Sequence, residues 1–214
     1  MPQVTFVYDK KQDIRNWKRV FSNNRNEIAD ALPWLGAKEI PDSENELQDL
    51  LGSLLSAEAM QNTIQKTQTS VEKRWRGIEK LYFTALEELT EQPVYVKSFT
   101  CALTTLHICP YDQAHDWFMV SVRSNADQQI TNIAHEIFHL QFLRYYQNVI
   151  DDKDLSKQER FAITESFTVL LNTNTFQKFL PAEDKGYAAH EKRREHILAL
   201  YRSGKNMPEI VRTI

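Results

Sequence analysis

The stretch Ile130-Thr131-Asn132-Ile133-Ala134-His135-Glu136-Ile137-Phe138-His139-Leu140 decides how this chain is read, because it carries the pattern His-Glu-x-x-His. On an α-helix, residues four apart lie one turn above each other and about 40° apart in projection, so His135 and His139 can reach a single ion. Glu136 projects to the side of that pair, close enough to touch a water on the metal without being a ligand. Down the helix axis Ile130, Ile133, Ile137 and Leu140 form one stripe, extended by Ala134 and Phe138, while both histidines share the other side with Gln128, Asn132 and Tyr146. A helix so enclosed must satisfy two imidazoles and a carboxylate away from water, and a metal is a common partner for all three. A surface pair of histidines is the bland alternative, and the apolar surround argues against it.

Upstream, Trp117 to Val122 is the clearest strand, running into Arg123-Ser124-Asn125, where Ser124 or Asn125 can cap the helix and Asp127 suits its first turn. Val94 to Phe99 and Ala102 to Cys109, rich in β-branched and aromatic residues, read as further strands, with Pro110-Tyr111-Asp112-Gln113 as a turn. Before Gln92-Pro93 the chain is helical. Met60, Ile64, Thr67, Val71, Trp75, Ile78, Tyr82, Ala85 and Leu89 recur at steps of three and four, predicting one helix over about 57–89, roughly 45 Å long and kinked near Gly77. Ser43 with Glu46 starts another helix, Glu27 to Leu35 is a short one broken by Pro33, and Asp9 to Ser22 repeats Ile14, Trp17, Val20 and Phe21 at helical spacing. Gln3 to Tyr8 alternates as a short strand.

Downstream, Ser156-Lys157-Gln158-Glu159 is a capping box that opens a helix running to about Leu180. On it Glu165 shares a face with Phe161, Ala162 and Val169, and a carboxylate in an apolar stripe needs a partner. A divalent cation would serve, as would Arg144 or Arg160. A last helix is expected from His190 to Tyr201, ending at Gly204.

A net charge of −3 gives no basic field for nucleic acid, and Lys73-Arg74-Trp75-Arg76 reads as the solvated side of a helix. The start lacks a signal-peptide pattern and no window approaches a membrane span, so the expected compartment is the cytoplasm. Cys101 and Cys109 are then expected to be free thiols, with a single disulfide between them left open. Only five glycines favour long helices. The expected fold is α+β, mostly helical, with a small, mainly antiparallel sheet packed on the His-Glu-x-x-His helix. Residues 1–90 would form a helical region, with a strand at 3–8 and the helix at about 57–89, and residues 91–214 the metal-binding domain.

The motif helix, the strand before it and a glutamate on a later helix together resemble the zincin metallopeptidases. With Glu165 as third candidate the likeness is to the gluzincin branch; 25 residues lie between His139 and Glu165, and the Gly-x-x-His of metzincins is absent. The resemblance covers roughly residues 94–180. It implies a zincin-like core in which His135, His139 and Glu165 hold Zn²⁺ and Glu136 is the general base, with Trp117 to Val122 binding an extended peptide or protein substrate. A tyrosine or histidine would steady the oxyanion, Tyr187 and His190 being the leading candidates, with Tyr146 and His196 behind them. His107 and His115 default to structural roles. One position departs from the pattern: four residues after Glu165 stands Val169, where an acidic residue often orients the first histidine. Asn172 or a backbone carbonyl would have to do so here.

The resulting expectation is a zinc-dependent peptidase whose first 90 residues bind a partner or cover the cleft. The competing reading is a catalytically weak or inactive zincin-fold protein that binds partners, or a second copy of itself, through the 57–89 helix. A chance motif in a metal-free helical protein is the third. Intact Glu136 favours the enzyme, since a purely structural zinc site needs no base.

Overall fold

A computed structural model describes residues 1–214. Strand β1 (Gln3–Val7) is followed by helices α1 (Lys10–Asn23), α2 (Arg25–Ala31), α3 (Glu44–Leu54) and α4 (Glu58–Thr90). Next come β2 (Ser98–Thr104), β3 (Tyr111–Asp112) and β4 (Trp117–Ser121), then α5 (Ala126–Asp151), α6 (Lys157–Phe167), α7 (Asn174–Gln177), α8 (Glu191–Arg202) and α9 (Met207–Thr213). The fold is α+β and mostly helical, as expected.

The caps explain the boundaries. The Asp9 carboxylate accepts from Lys11 and Gln12 N–H to start α1, Asn125 accepts from Gln128 N–H to start α5, and Ser156 with Glu159 forms the full capping box of α6. At α3 the Ser43 hydroxyl accepts from Glu46 N–H as expected, but the Glu46 carboxylate returns to Asp42 N–H, one residue early. Pro33 ends α2 in a 3-10 turn, Leu32–Leu35.

The sheet differs from expectation. Its order is β1-β2-β4-β3, and both β1/β2 and β2/β4 are parallel; only the two-residue β3 runs antiparallel to β4. Parallel neighbours need long crossovers, and the four helices between β1 and β2 supply the first of them. Only one strand, Ser98–Thr104, forms where two were expected over 94–109.

The helix expected to run from Ser156 to Leu180 stops at Phe167, passing into a 3-10 segment, Thr168–Asn172, and then α7. The Ser166 and Thr168 hydroxyls turn back onto the Ala162 and Glu165 carbonyls, and such local bonds compete with helix propagation. The last predicted helix appears as a 3-10 turn, Ala188–His190, followed by α8, and Gly204 (φ +95°) lies just beyond it.

The main core is shared between the two halves of the chain. Val4, Phe6, Val71, Trp75, Tyr82 and Leu86 from the first ninety residues pack with Ile133, Phe138, Phe142, Phe167 and Ile197. The boundary expected near residue 90 therefore does not separate two cores. A smaller one does lie within α1 to α3, where Trp17, Phe21, Ile28, Leu47 and Leu51 surround Leu106. Along α4 the expected seam residues Ile64, Val71, Trp75, Tyr82, Ala85 and Leu89 are buried against the chain's own fold. α4 also braces the sheet: Glu79 accepts from Val4 N–H at 2.7 Å and Arg76 donates to the Val4 carbonyl at 2.7 Å. No helix is long and apolar enough to cross a membrane, and both cysteines are free.

Candidate metal centre

Helix α5 is held on both flanks before it presents its motif. Tyr82 of α4 donates to the Ala134 carbonyl at 2.6 Å, one residue before His135, and Ile133, Ile137 and Leu140 lie in the core. That packing aims His135 and His139 at α6, where Glu165 sits on the helical turn nearest them.

The three side chains converge. Nε2 of His135 and Nε2 of His139 are 2.8 Å apart, His139 Nε2 is 3.3 Å from Glu165 Oε1, and His135 Nε2 is 3.7 Å from Glu165 Oε2. Their donor atoms all lie within 4.8 Å of one another, so the group could hold a metal ion. Bond lengths of about 2.0–2.1 Å to a tetrahedral ion put ligand atoms about 3.3 Å apart, and the observed separations bracket that value. Neither arginine weighed as a partner for Glu165 reaches it: Arg160 pairs with Asp151 at 2.7 Å, and Arg144 lies over the Tyr95 ring.

One unpaired atom points the same way. Glu136 Oε2 is buried with no hydrogen-bond partner; His139 Nδ1 is unpaired as well, but it lies on the ring edge away from the cluster that Nε2 faces. Such orphans are costly in a stable interior and need an explanation. Burial pushes the Glu136 carboxyl up to about 8; the His135 charge pulls it down, and the Glu165 and Asp184 carboxylates push it up. Burial would also raise Glu165, but hydrogen bonds and charge from both histidines hold it well below the usual carboxylate range. His135 rises well above an ordinary imidazole, because Asp184 and Glu165 outweigh the burial that opposes its charge, whereas burial and the neighbouring His135 lower His139. Glu165 and Asp184 thus favour a positive charge between them, as the raised His135 records. The donor set and its charge fit a divalent ion.

The partner of the first histidine is neither Asn172 nor a backbone carbonyl. Asp184 takes that place, its Oδ1 2.8 Å from His135 Nδ1. Asn172 acts one step back, clamping the Asp184 backbone with bonds of 2.8 Å to its N–H and 2.9 Å to its carbonyl. The buried Arg194 of α8 donates to Asp184 Oδ2 at 3.0 Å and to the Thr168 hydroxyl at 2.9 Å. Burial would raise the Asp184 carboxyl, but the hydrogen bond and charge of His135 bring it down to about 2. Gly186 lets the loop fold over Arg194: its φ is +60°, and a Cβ there would collide with the guanidinium.

Other expected residues fall as follows. Tyr187 is 54% exposed, and its phenol is raised by burial and then by the Glu165 and Glu136 carboxylates, which puts it within electrostatic reach of the centre. His190 makes no hydrogen bond or ion pair with the three ligands; its ring lies 5.5 Å from Tyr187 and 6.2 Å from Phe161. Tyr146 turns away and donates to the Thr90 carbonyl, His196 and His107 are exposed, and His115 pairs with Asp112. Tyr111 was missed. Its ring stacks on His139 at 5.6 Å, and its phenol is raised to about 12 by burial and by the Glu165 and Glu136 carboxylates. The strand expected to face a substrate, β4, lies between β2 and β3, so the open sheet edge beside the centre belongs to β3.

Comparison of the chain with family models, curated proteins and solved structures gave no match.

Proposed function

We propose that this chain is a zinc-dependent metallopeptidase with a zincin-like, gluzincin-type centre, in which His135, His139 and Glu165 hold the ion. The observation that carries the reading is the pairing of this two-histidine, one-carboxylate cluster with a buried glutamate, Glu136, whose buried Oε2 has no partner. A site built only to hold an ion needs no such group, and catalytic zinc sites keep three protein ligands and one open position. Bound there, zinc supplies Lewis acidity, bringing the pKa of water toward about 7 and polarising a carbonyl oxygen.

Glu136 has the work of moving protons. Its carboxylate takes a proton from the attacking water as the new C–O bond forms at the scissile carbonyl, then delivers it to the amine as the C–N bond breaks. A buried carboxyl group beside the ion-binding cluster, with no hydrogen-bond partner of its own, is free for both transfers. Asp184 fixes the His135 ring and its tautomer, and Arg194 fixes Asp184. Tyr187 and Tyr111 both feel the charge of the Glu165 and Glu136 carboxylates, and Tyr187 serves as donor to the developing oxyanion. His190 supports Tyr187 through ring contact.

The test is hydrolysis of a mixed peptide pool, read by mass spectrometry, by the zinc-loaded chain and by Glu136→Gln. Cleavage that falls by about 10²- to 10⁴-fold in the variant, with zinc content unchanged, is expected. Equal cleavage by both proteins, or none by either, would refute the peptidase.

A further inference from the structure

The edge strand β3 separates two cavities of mixed polar and apolar lining. On the metal face, a cavity of about 580 Å³ opens between α5 and α6 and reaches Thr164, the neighbour of Glu165; Leu143, Ile150, Leu155, Phe161 and Tyr111 form its apolar wall, and of the charged residues in the rest of its lining Asp151 and Arg160 neutralise each other at 2.7 Å while Lys157 has no salt bridge. On the other face, a cavity of about 690 Å³ lies between α1 and the β3–β4 pair, floored by Trp117 and Met119 and bordered by Arg15 and Arg19. No salt bridge reaches either arginine. Arg19 donates only to the Asn16 amide oxygen, and the one carboxylate in the lining, Asp112, is already held by His115 at 2.9 Å and by the Ala114 N–H. In a chain of net charge −3, two guanidinium groups left unneutralised around one cavity ask for an anion.

The backbone between these cavities is open. Met119 N–H donates to the Pro110 carbonyl at 2.9 Å, which makes Tyr111 and Phe118 a non-hydrogen-bonded pair. The N–H and C=O of Tyr111 therefore point away from β4, toward whatever lies along the edge. A strand added there would send successive side chains to opposite faces. One would enter the α5–α6 cavity, and its neighbour would emerge beside Arg15 and Arg19.

We propose that β3 docks an extended peptide in which a large apolar residue is followed or preceded directly by an acidic one. The apolar side chain fills the α5–α6 cavity and the carboxylate meets Arg15 and Arg19. The proposal rests on the peptidase reading for what happens to the peptide, but not for its docking.

The test measures binding of fluorescent octapeptides by anisotropy to zinc-loaded Glu136→Gln, so that nothing is cut. One peptide carries Leu-Asp at its centre, a second Leu-Lys and a third Ala-Asp. The Leu-Asp peptide should bind about three- to tenfold tighter than Leu-Lys, a range suited to exposed charges. That preference should vanish or reverse when Arg15→Glu and Arg19→Glu are added, both sites being exposed. Leu143→Arg should abolish the advantage of Leu-Asp over Ala-Asp. Equal affinity for Leu-Asp and Leu-Lys, a preference indifferent to the arginines, or no binding of any peptide would overturn the proposal. Selective binding with no cleavage by the wild type would instead refute the peptidase and leave the docking edge standing, whereas cleavage of all three peptides at equal rates would do the opposite.

Discussion

Two buried polar clusters flank the sheet, and they are built on opposite principles. At one, Asp13 of α1 is fully buried, and its oxygens accept from the Thr104 hydroxyl at 2.7 Å, the Thr105 N–H at 3.1 Å, the Thr105 hydroxyl at 2.8 Å and the Tyr8 hydroxyl at 3.3 Å. Trp17 completes the network by donating to the Thr105 hydroxyl. Every acceptor is used, and the cluster does one thing: it fastens α1 to the end of β2. At the other, Glu136, Glu165 and Asp184 crowd two imidazoles, and Glu136 Oε2 and His139 Nδ1 have no partner. A buried carboxylate that is satisfied is a fastener, while one left short of partners beside convergent donors is poised for a ligand.

The contrast breaks most sharply at Asp184. Asp184→Ala should lower zinc affinity about 10- to 100-fold in competition with a chromophoric chelator, because His135 loses the group that orients it. Unchanged affinity would make the Asp184–Arg194 pair a packing feature only. Asp13→Ala should do the reverse, lowering unfolding free energy by about 1–3 kcal/mol in urea titrations, since it strands Thr105 N–H and three hydroxyls, while leaving zinc affinity untouched.

The smallest effect is one of sign. In the metal-free chain the Asp184 carboxyl is depressed to about 2 from an ordinary 3.8, so its contribution to stability is present above pH 3.8 and is lost as pH falls toward 2. Asp13 is shifted the other way: burial raises it, against the hydrogen bonds from Thr104 and Thr105 that lower it. Its contribution is complete below pH 3.8 and is lost as pH rises through the raised value. On acidification the stability gap between wild type and Asp184→Asn should therefore narrow in the wild type's disfavour, while relative to Asp13→Asn the wild type should gain. Parallel trends in the two series would erase the distinction between the clusters.

Much of this was legible where the signal is local. A spacing of four on a helix brings His135 and His139 together, a carboxylate in the apolar stripe of α6 marks Glu165, and Ser156 with Glu159 fixes where that helix starts. What escaped depends on distant parts of the chain. Asp184 stands in an irregular loop 49 residues from His135, so no periodicity connects them. The parallel order of β1, β2 and β4 depends on crossovers, which leave no mark within the strands. Tyr111 reads as a turn residue, and only the two-residue pairing of β3 with β4 brings its ring over His139.

The central claim is that three side chains from two helices share one divalent ion. Zinc bound per chain, measured by elemental analysis after exhaustive dialysis against trace free zinc, tests it most directly in wild type, His139→Ala and Asp13→Ala. The account predicts one equivalent in wild type and in Asp13→Ala, and none in His139→Ala. A wild type that holds no zinc, or a His139→Ala chain that retains a full equivalent, would contradict it.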